Sequence, residues 1–385
     1  MLLSPDALSA ALAVRDLTDP AAGPHAVQLV VNDVVAALTA RWRVPAIEHR
    51  PHPVVDVADN YDRLGYAPDA VTRDARYSHY VTPTTMLRSH VSSGVPGALR
   101  ALDRDTTDVL LVLPGMVHRR DAVDRHHVGT PHQLDLWRIV RDRPMRPADL
   151  AGMIDAVAAA AVPGRAVRTE PAVHPYTVDG CQVDVRDGDG WVELAECGLA
   201  APAVLAGAGL DPARWSGLAL GMGLDRAVML RKGVPDIRLL RATDPRIAGQ
   251  MLDLSPWRPV SQRPPARRDL SLVLDAADAD VELLGDRARA ALGPDADALE
   301  ELSLRAITPH EQLPPRLGTR PGQVNALVRL VLRPVDRTLT AAAANALRDR
   351  VYAALHEGPV AEWAGRDGDH GQTVAGGSWE ATFCP

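Results

Sequence analysis

Between Gly23 and Trp42 the apolar residues Val27, Leu29, Val30, Val34, Val35 and Leu38 recur every three or four positions, the spacing of a helix that packs one face on a core. The stretch from Asp56 to Arg76 is polar and turn-rich and predicts a loop that reaches over a neighbour. Short apolar runs follow: DVLLVLPG (108–115), LDLWRIV (134–140), CQVDVRDG (181–188), GWVELAEC (190–197) and ALGMG (219–223). Turn signals separate them, so they read as strands of an antiparallel sheet. PADLAGMIDAVAAAAV (147–162) predicts a helix crossing that sheet.

The periodicity stops at 253–265, where LSPWRPVSQRPP is proline-rich and reads as a linker. Over 266–357 it restarts: RRDLSLVLD as a strand, VELLGDRARAAL as a helix, ALEELSLRAIT and NALVRLVLRP as strands, TAAAANALRDRVYAAL as a helix. That β-α-β-β-α order, with room for a last strand, is the ferredoxin-like split unit. The expected organisation is an N-terminal extension (1–22), a first domain (23–252), the linker, the second domain, and a glycine-rich tail (358–385) without a core stripe. The fold class is α/β in the α+β sense, an antiparallel sheet flanked by helices plus a ferredoxin-like domain.

Composition narrows the function. A chain of 385 residues with 46% hydrophobic and 24% charged residues can bury two ordinary cores. The net charge of −7 argues against a general nucleic-acid coat. Residues 256–357, however, carry equal numbers of basic and acidic side chains, which makes the C-terminal part the better partner for an acidic polymer. The three cysteines have no metal-ligand spacing, the first twenty residues do not resemble a signal peptide, and no run approaches a membrane span. A reduced, cytoplasmic protein is expected.

GLALGMGLDRAVML (217–230) places Arg226 in the first turn of a predicted helix, where the partial positive charge of the N-terminus disfavours a cation unless an anion lies beside it. Arg119 sits where a strand exits into a loop dense in Arg and His and returns as another strand. Two such arginines can bracket a triphosphate. The plainer reading is surface pairing, Arg120 with Asp121 and Asp225 with Arg226. GMGLDR lacks the last glycine of a dinucleotide fingerprint, and there is no GxxxxGK[ST].

The stretches MLRSHVSS (86–93), VHRRDAVDRHH (117–127), HQLDL (132–136), ELAECGL (193–199) and SGLALGMGLDRAVMLRKGVPDIRLL (216–240) resemble, in this order, the catalytic domain of phenylalanyl-tRNA synthetases. RRDLSLVL and PVDRTLT are similar to their ferredoxin-fold anticodon-binding domain, in the single-chain arrangement of the monomeric organellar form. The resemblance implies a class II aminoacyl-tRNA synthetase that uses ATP and Mg²⁺, an aromatic amino acid and tRNA, and needs no second synthetase subunit. By the same match Arg226 contacts the γ-phosphate and Arg119 the α-phosphate, Asp121 lies near adenine, and His127, or its neighbour His126, lies close to ATP. Glu193 is placed like the carboxylate that binds Mg²⁺. His90 and Ser92, with Gln133 and Asp135, hold the ammonium and carboxylate ends of the amino acid. Arg267, Arg268, Arg333 and Arg337, with Arg263, form a candidate tRNA-facing surface, for which a solvated face is the alternative.

The chain departs from the family around the substrate. His174 and Tyr176 in VHPYTVDG stand at the two positions of a Phe-Pro-Phe segment. LAL (218–220) replaces Phe-Ala-Phe, keeping Ala219 as the small residue at the end of the pocket. Pro131 stands where a phenylalanine stacks on adenine, Val91 replaces a threonine, Met116 an arginine and Gln182 a glutamate. An unpaired buried imidazole is costly, so His174 favours a substrate or neighbour that satisfies it. Two alternatives stay open: a paralogue activating an unusual amino acid for a small-molecule pathway, and a non-catalytic protein that senses tRNA or an amino acid.

Overall fold

The structure, a computed structural model, describes residues 2–103, 105–120, 124–260, 264–334 and 337–359. Its strands are β1 (Ala46–Glu48), β2 (Val54–Asp56), β3 (Thr85–Leu87), β4 (Asp108–Met116), β5 (His132–Arg141), β6 (Val167–Pro171), β7 (Thr177–Asp187), β8 (Gly190–Ala200), β9 (Trp215–Gly223), β10 (Ala266–Asp275), β11 (Leu299–Pro309) and β12 (Gln323–Leu332). The helices are α1 (Pro5–Leu12), α2 (Ala26–Trp42), α3 (Val57–Asn60), α4 (Val95–Arg100), α5 (Pro147–Ala161), α6 (Pro202–Gly207), α7 (Leu224–Lys232), α8 (Pro245–Ala248), α9 (Val281–Leu292) and α10 (Ala341–Leu355). None of them is long and apolar enough to cross a membrane.

Seven strands form the main sheet in the order β1-β4-β5-β9-β8-β7-β6. Only the β1–β4 pairing is parallel. One face is covered by α2, α5 and α7: Val27, Val30, Val34 and Leu38 pack with Leu110, Val112, Leu134, Leu136, Met153 and Val228. The predicted stripe of α2 therefore faces the sheet. His25 caps this helix by accepting from Val27 N, and Arg43 ends it in the left-handed region at φ 57. The run DVLLVLPG is continuous rather than alternating because both its faces are covered; Val109, Leu111 and Leu113 point to the opposite side, against α4 and α6.

That second face changes character along its length. Ile139, Trp137 and Ala219 lie under α4 and α6 and are fully buried. Farther along the same strands, alternation brings Asp135 and Gln133 of β5 and Gly221 and Gly223 of β9 to this face, where no helix covers them and a cavity opens.

After the linker, β10, β12 and β11 form an antiparallel sheet in that order. Leu270, Leu272 and Leu274 pack against Leu284, Ala288 and Leu292 of α9 and Leu347, Val351 and Leu355 of α10. The room for a last strand falls on residues 360–385, outside the described residues. The segment before α2 joins the main core, since Leu17 is buried in it and the amide of Leu3 donates to Tyr80 O at 2.7 Å. Strands β1 and β6 have no hydrophobic alternation and are exposed throughout, so only their pairing partners define them.

Leu110→Ala should cost about 3 kcal/mol, because a side chain with no exposed surface leaves a cavity between α2 and the sheet. Ile47→Ala, at 40% exposure on β1, should cost less than about 0.5 kcal/mol. Urea unfolding of both variants checks the contrast; equal costs would contradict the placement of the core.

Candidate functional site

The open end of the second sheet face carries a cavity of about 700 Å³. Of the residues expected there, His90, Ser92, Arg119, His127, Pro131, Gln133, Asp135, Tyr176, Glu193 and Arg226 line it. His174 and Ala219 do not. Asp121 lies outside the described residues.

At one end stand Arg119, from the exit of β4, and Arg226, from the first turn of α7. Arg226 donates to Glu193 O at 2.9 Å, and its guanidinium lies 4.0 Å from the Glu193 carboxylate. Burial raises the pKa of Glu193, while Arg226 and Arg119 both oppose the rise. The anion beside Arg226 is thus Glu193, 4.0 Å away, in a cavity with space for a larger one. His127 Nδ1 is 2.8 Å from Asp124. Burial works to raise the pKa of Asp124, but hydrogen bonds from His127 and from the His126 amide leave it lowered.

A buried network fixes Arg226 in place. Asp225, next to it, accepts from the His132 amide and faces His132 Nδ1 at 2.9 Å. The Leu17 amide and the Arg241 guanidinium both approach His132 Nε2 at 3.0 Å, so the ring proton sits on Nδ1 and is donated to Asp225. Burial alone would raise the Asp225 pKa; His132 and Arg241 instead hold it below the usual carboxylate range. The network ties the start of α7 to the start of β5, and so to Pro131 and Gln133.

At the other end, Gln133 Oε1 accepts from Val91 N at 3.3 Å, which joins the segment holding His90 and Ser92 to β5. Polar atoms without hydrogen-bond partners gather here: both ring nitrogens of His90, Asp135 Oδ2 and Trp137 Nε1. Burial drives the His90 pKa down to about 4 and pushes Asp135 up to about 6, with Ser92 and Trp137 pulling it back in part. Tyr66 stacks on His90 at 5.6 Å and lies 6.3 Å from Tyr176. His174 stacks on Tyr176 at 6.0 Å and reaches Glu196 at 3.2 Å. A neighbour therefore satisfies its imidazole, as the sequence required.

Ala219 is not the floor of an open pocket. It is 1% exposed and sits directly across from Trp137, whose ring lies 6.2 Å from that of Tyr176. The volume that a small residue would leave is filled by these two rings. Tyr66 and Glu196, which line the cavity, and Trp137, fully buried behind it, are the residues that the sequence reading missed. Trp137 and Glu196 were legible only as strand positions, and Tyr66 only as part of a turn-rich loop.

The C-terminal unit reaches the same cavity, since Glu282 of α9 lines it and Asp286 of α9 pairs with Arg120 at 2.8 Å. Among the proposed basic positions, Arg333 is paired with Glu300 and Arg337 with Asp295 at 3.3 Å. Arg268 donates to Asn345 at 2.8 Å, and Arg267 is exposed. Arg263 lies outside the described residues.

Three imidazoles are buried with their pKa values lowered to about 4: His25, His90 and His118, in each case chiefly by desolvation. Between about pH 6 and 4 the unfolded chain protonates all three and the fold does not, while Asp135 keeps a proton in the fold that the unfolded chain releases. From these four groups the unfolded chain binds roughly two more protons than the fold, so stability should drop as pH is lowered, by on the order of 3 kcal/mol per unit. Urea midpoints at pH 7, 6 and 5 measure the slope, and His118→Gln should flatten it; a level profile in the wild type would contradict the buried neutral state.

Residues 24–251 match the model of the tRNA synthetases class II core domain (F). The phenylalanine–tRNA ligase alpha subunit of Prochlorococcus marinus (strain MIT 9313) is 37% identical over 191 residues, 50% of this chain and 56% of that one. The alpha subunit of Chlorobium chlorochromatii (strain CaD3) is 32% identical over 246 residues, 59% of this chain and 69% of that one. A pyrrolysyl tRNA synthetase structure from Desulfitobacterium hafniense aligns with 56% of this chain and 73% of its own at 18% identity and a TM-score of 0.42, too loosely to add to the assignment. The chain spans little more than half of the first relative. Because these relatives are named as alpha subunits, one part of a larger ligase, the expectation that no second synthetase subunit is needed is overturned. The matched stretch takes in the sheet, the helices that cover it and the lining of the cavity except Glu282, and the chain belongs to the class II core domain (F) family of tRNA synthetases.

Proposed function

We propose that the protein is an ATP-dependent ligase that activates phenylalanine or a related aromatic amino acid as its adenylate and passes the acyl group to a tRNA. The observation that carries this reading is the placing of Arg119 and Arg226 at one end of the cavity, both acting on Glu193, in a chain of this family. The substrate carboxylate attacks the α-phosphorus of ATP, and pyrophosphate leaves. Arg119 offsets charge at the α-phosphate and Arg226 at the γ-phosphate, so the protein contributes position and preorganised charge. His127 and Pro131 flank the nucleotide. His90, Ser92, Gln133 and Asp135 hold the amino acid at the other end of the cavity.

Glu193 suits Mg²⁺ as a single carboxylate that shares the ion with phosphate oxygens and water. Bound there, Mg²⁺ would neutralise phosphate charge. The C-terminal unit is the proposed tRNA contact, through Arg267 and Arg268 first, since Arg333 and Arg337 already have acidic partners.

Purified protein, together with the second subunit that the names of its relatives imply, should exchange pyrophosphate into ATP in a Mg²⁺- and amino-acid-dependent way. Arg226→Ala should lower kcat/KM by about 30- to 1000-fold, roughly 2 to 4 kcal/mol. An unchanged rate in that variant would remove the role given to Arg226, and no exchange with any proteinogenic or aromatic amino acid would count against adenylation itself.

A further inference from the structure

On the open sheet face, Asp135 and Glu196 are both partnered with Gly221, one from each side. Neighbouring strands lie ~4.8 Å apart, so the two carboxylates rise from backbone roughly 10 Å apart, with a glycine between them. A Cβ at Gly221 would already touch Asp135 Oδ1, at 3.4 Å. The strand between the two acids contributes no side chain of its own at this point, so the Asp135 carboxylate leans over the glycine and one amino acid can lie from it toward Glu196. Asp135 Oδ2 has no partner. Glu196 lines the cavity with 42% of its side chain exposed and is oriented by His174 at 3.2 Å.

The walls favour a flat ligand of limited depth. Tyr66 and Tyr176 stand beside the strip, and the apolar space beyond it, next to Ala219, is filled by Trp137. A phenyl ring gains no deep apolar slot here, and it would cover the exposed side of the Glu196 carboxylate, taking water from it while leaving it only the His174 partner, which costs more than a missing apolar contact.

Resting on the adenylation reading above, we infer that Glu196, held by His174, is a specificity-determining residue. It selects an aromatic amino acid whose ring bears an N–H or O–H donor over unsubstituted phenylalanine. The α-ammonium lies at Asp135 and the ring donor at Glu196. The competing role for Glu196 is to neutralise Arg119, which also acts on it.

The test compares 4-aminophenylalanine, tyrosine and phenylalanine in ATP–pyrophosphate exchange and in calorimetric binding, with wild type and Glu196→Leu. Wild type should prefer a donor-bearing ring by about tenfold or more in kcat/KM, and Glu196→Leu should lose about tenfold of that ratio with KM for ATP unchanged, the scale of one buried polar pairing. If the leucine variant does not fold, the same-sized Glu196→Gln carries the test, with a loss of about threefold expected. Wild-type preference for phenylalanine, a ratio unaltered in the variant, or a change confined to KM for ATP would overturn the inference. If exchange is absent with every amino acid but binding still favours the donor-bearing rings in a Glu196-dependent way, the adenylation reading falls and the selectivity stands. If binding shows no such difference, the selectivity falls.

Discussion

The site hangs on one buried carboxylate. Asp225 is almost wholly removed from solvent, and a carboxylate in that position survives as an anion only because His132 and Arg241 surround it. Through His132 it links four separate stretches of chain: its own place at the start of α7, the start of β5, and, on the far side of the imidazole, the segment at Leu17 and Arg241. Removing the carboxylate would leave a desolvated imidazole N–H without an acceptor. That cost locks Arg226, the adjacent residue, into the first turn of the helix, facing the cavity.

A second constraint comes from the two faces of the main sheet. One is sealed along its whole length by α2, α5 and α7. The other is sealed only beneath α4 and α6, and past that point its residues become polar or lose their side chains. The cavity is the part of a sheet face that no helix covers. Its charge is divided along its length: the arginines stand at one end, and the unpartnered His90 and Asp135 atoms at the other. A ligand with an anionic tail and a polar, partly cationic head matches that division without any rearrangement of the sheet.

The aromatic cluster shows how composition is redistributed in a chain with a single phenylalanine. Tyr61, Tyr66, His90, Tyr176, His174 and Trp137 form a continuous series of ring contacts, with neighbouring centroids 5.4 to 6.3 Å apart. Rings with polar edges do the packing that phenyl rings would do. Each brings a hydrogen-bonding atom that must be satisfied by protein, by solvent or by what enters the cavity.

The sequence by itself determined the elements. The apolar spacing of α2 and α5, the runs of β4, β5 and β9, and the β-α-β-β-α order of the C-terminal unit could be read because burial of one or both faces imposes a local period. The order of the synthetase-like motifs also marked Arg119, Arg226, Gln133 and Asp135 as site residues. The tertiary structure alone decided what lies across a strand from what. That Trp137 faces Ala219 and fills its space, that Glu196 flanks Gly221 opposite Asp135, and that Asp225 binds His132 depend on register and on pairs 25 to 93 residues apart. Strands β1 and β6 were illegible for the same reason: they carry no period of their own and become strands only where β4 and β7 supply the hydrogen bonds. Local spacing records which face of an element is buried, whereas the neighbour on that face is set by chain segments whose positions no local pattern encodes.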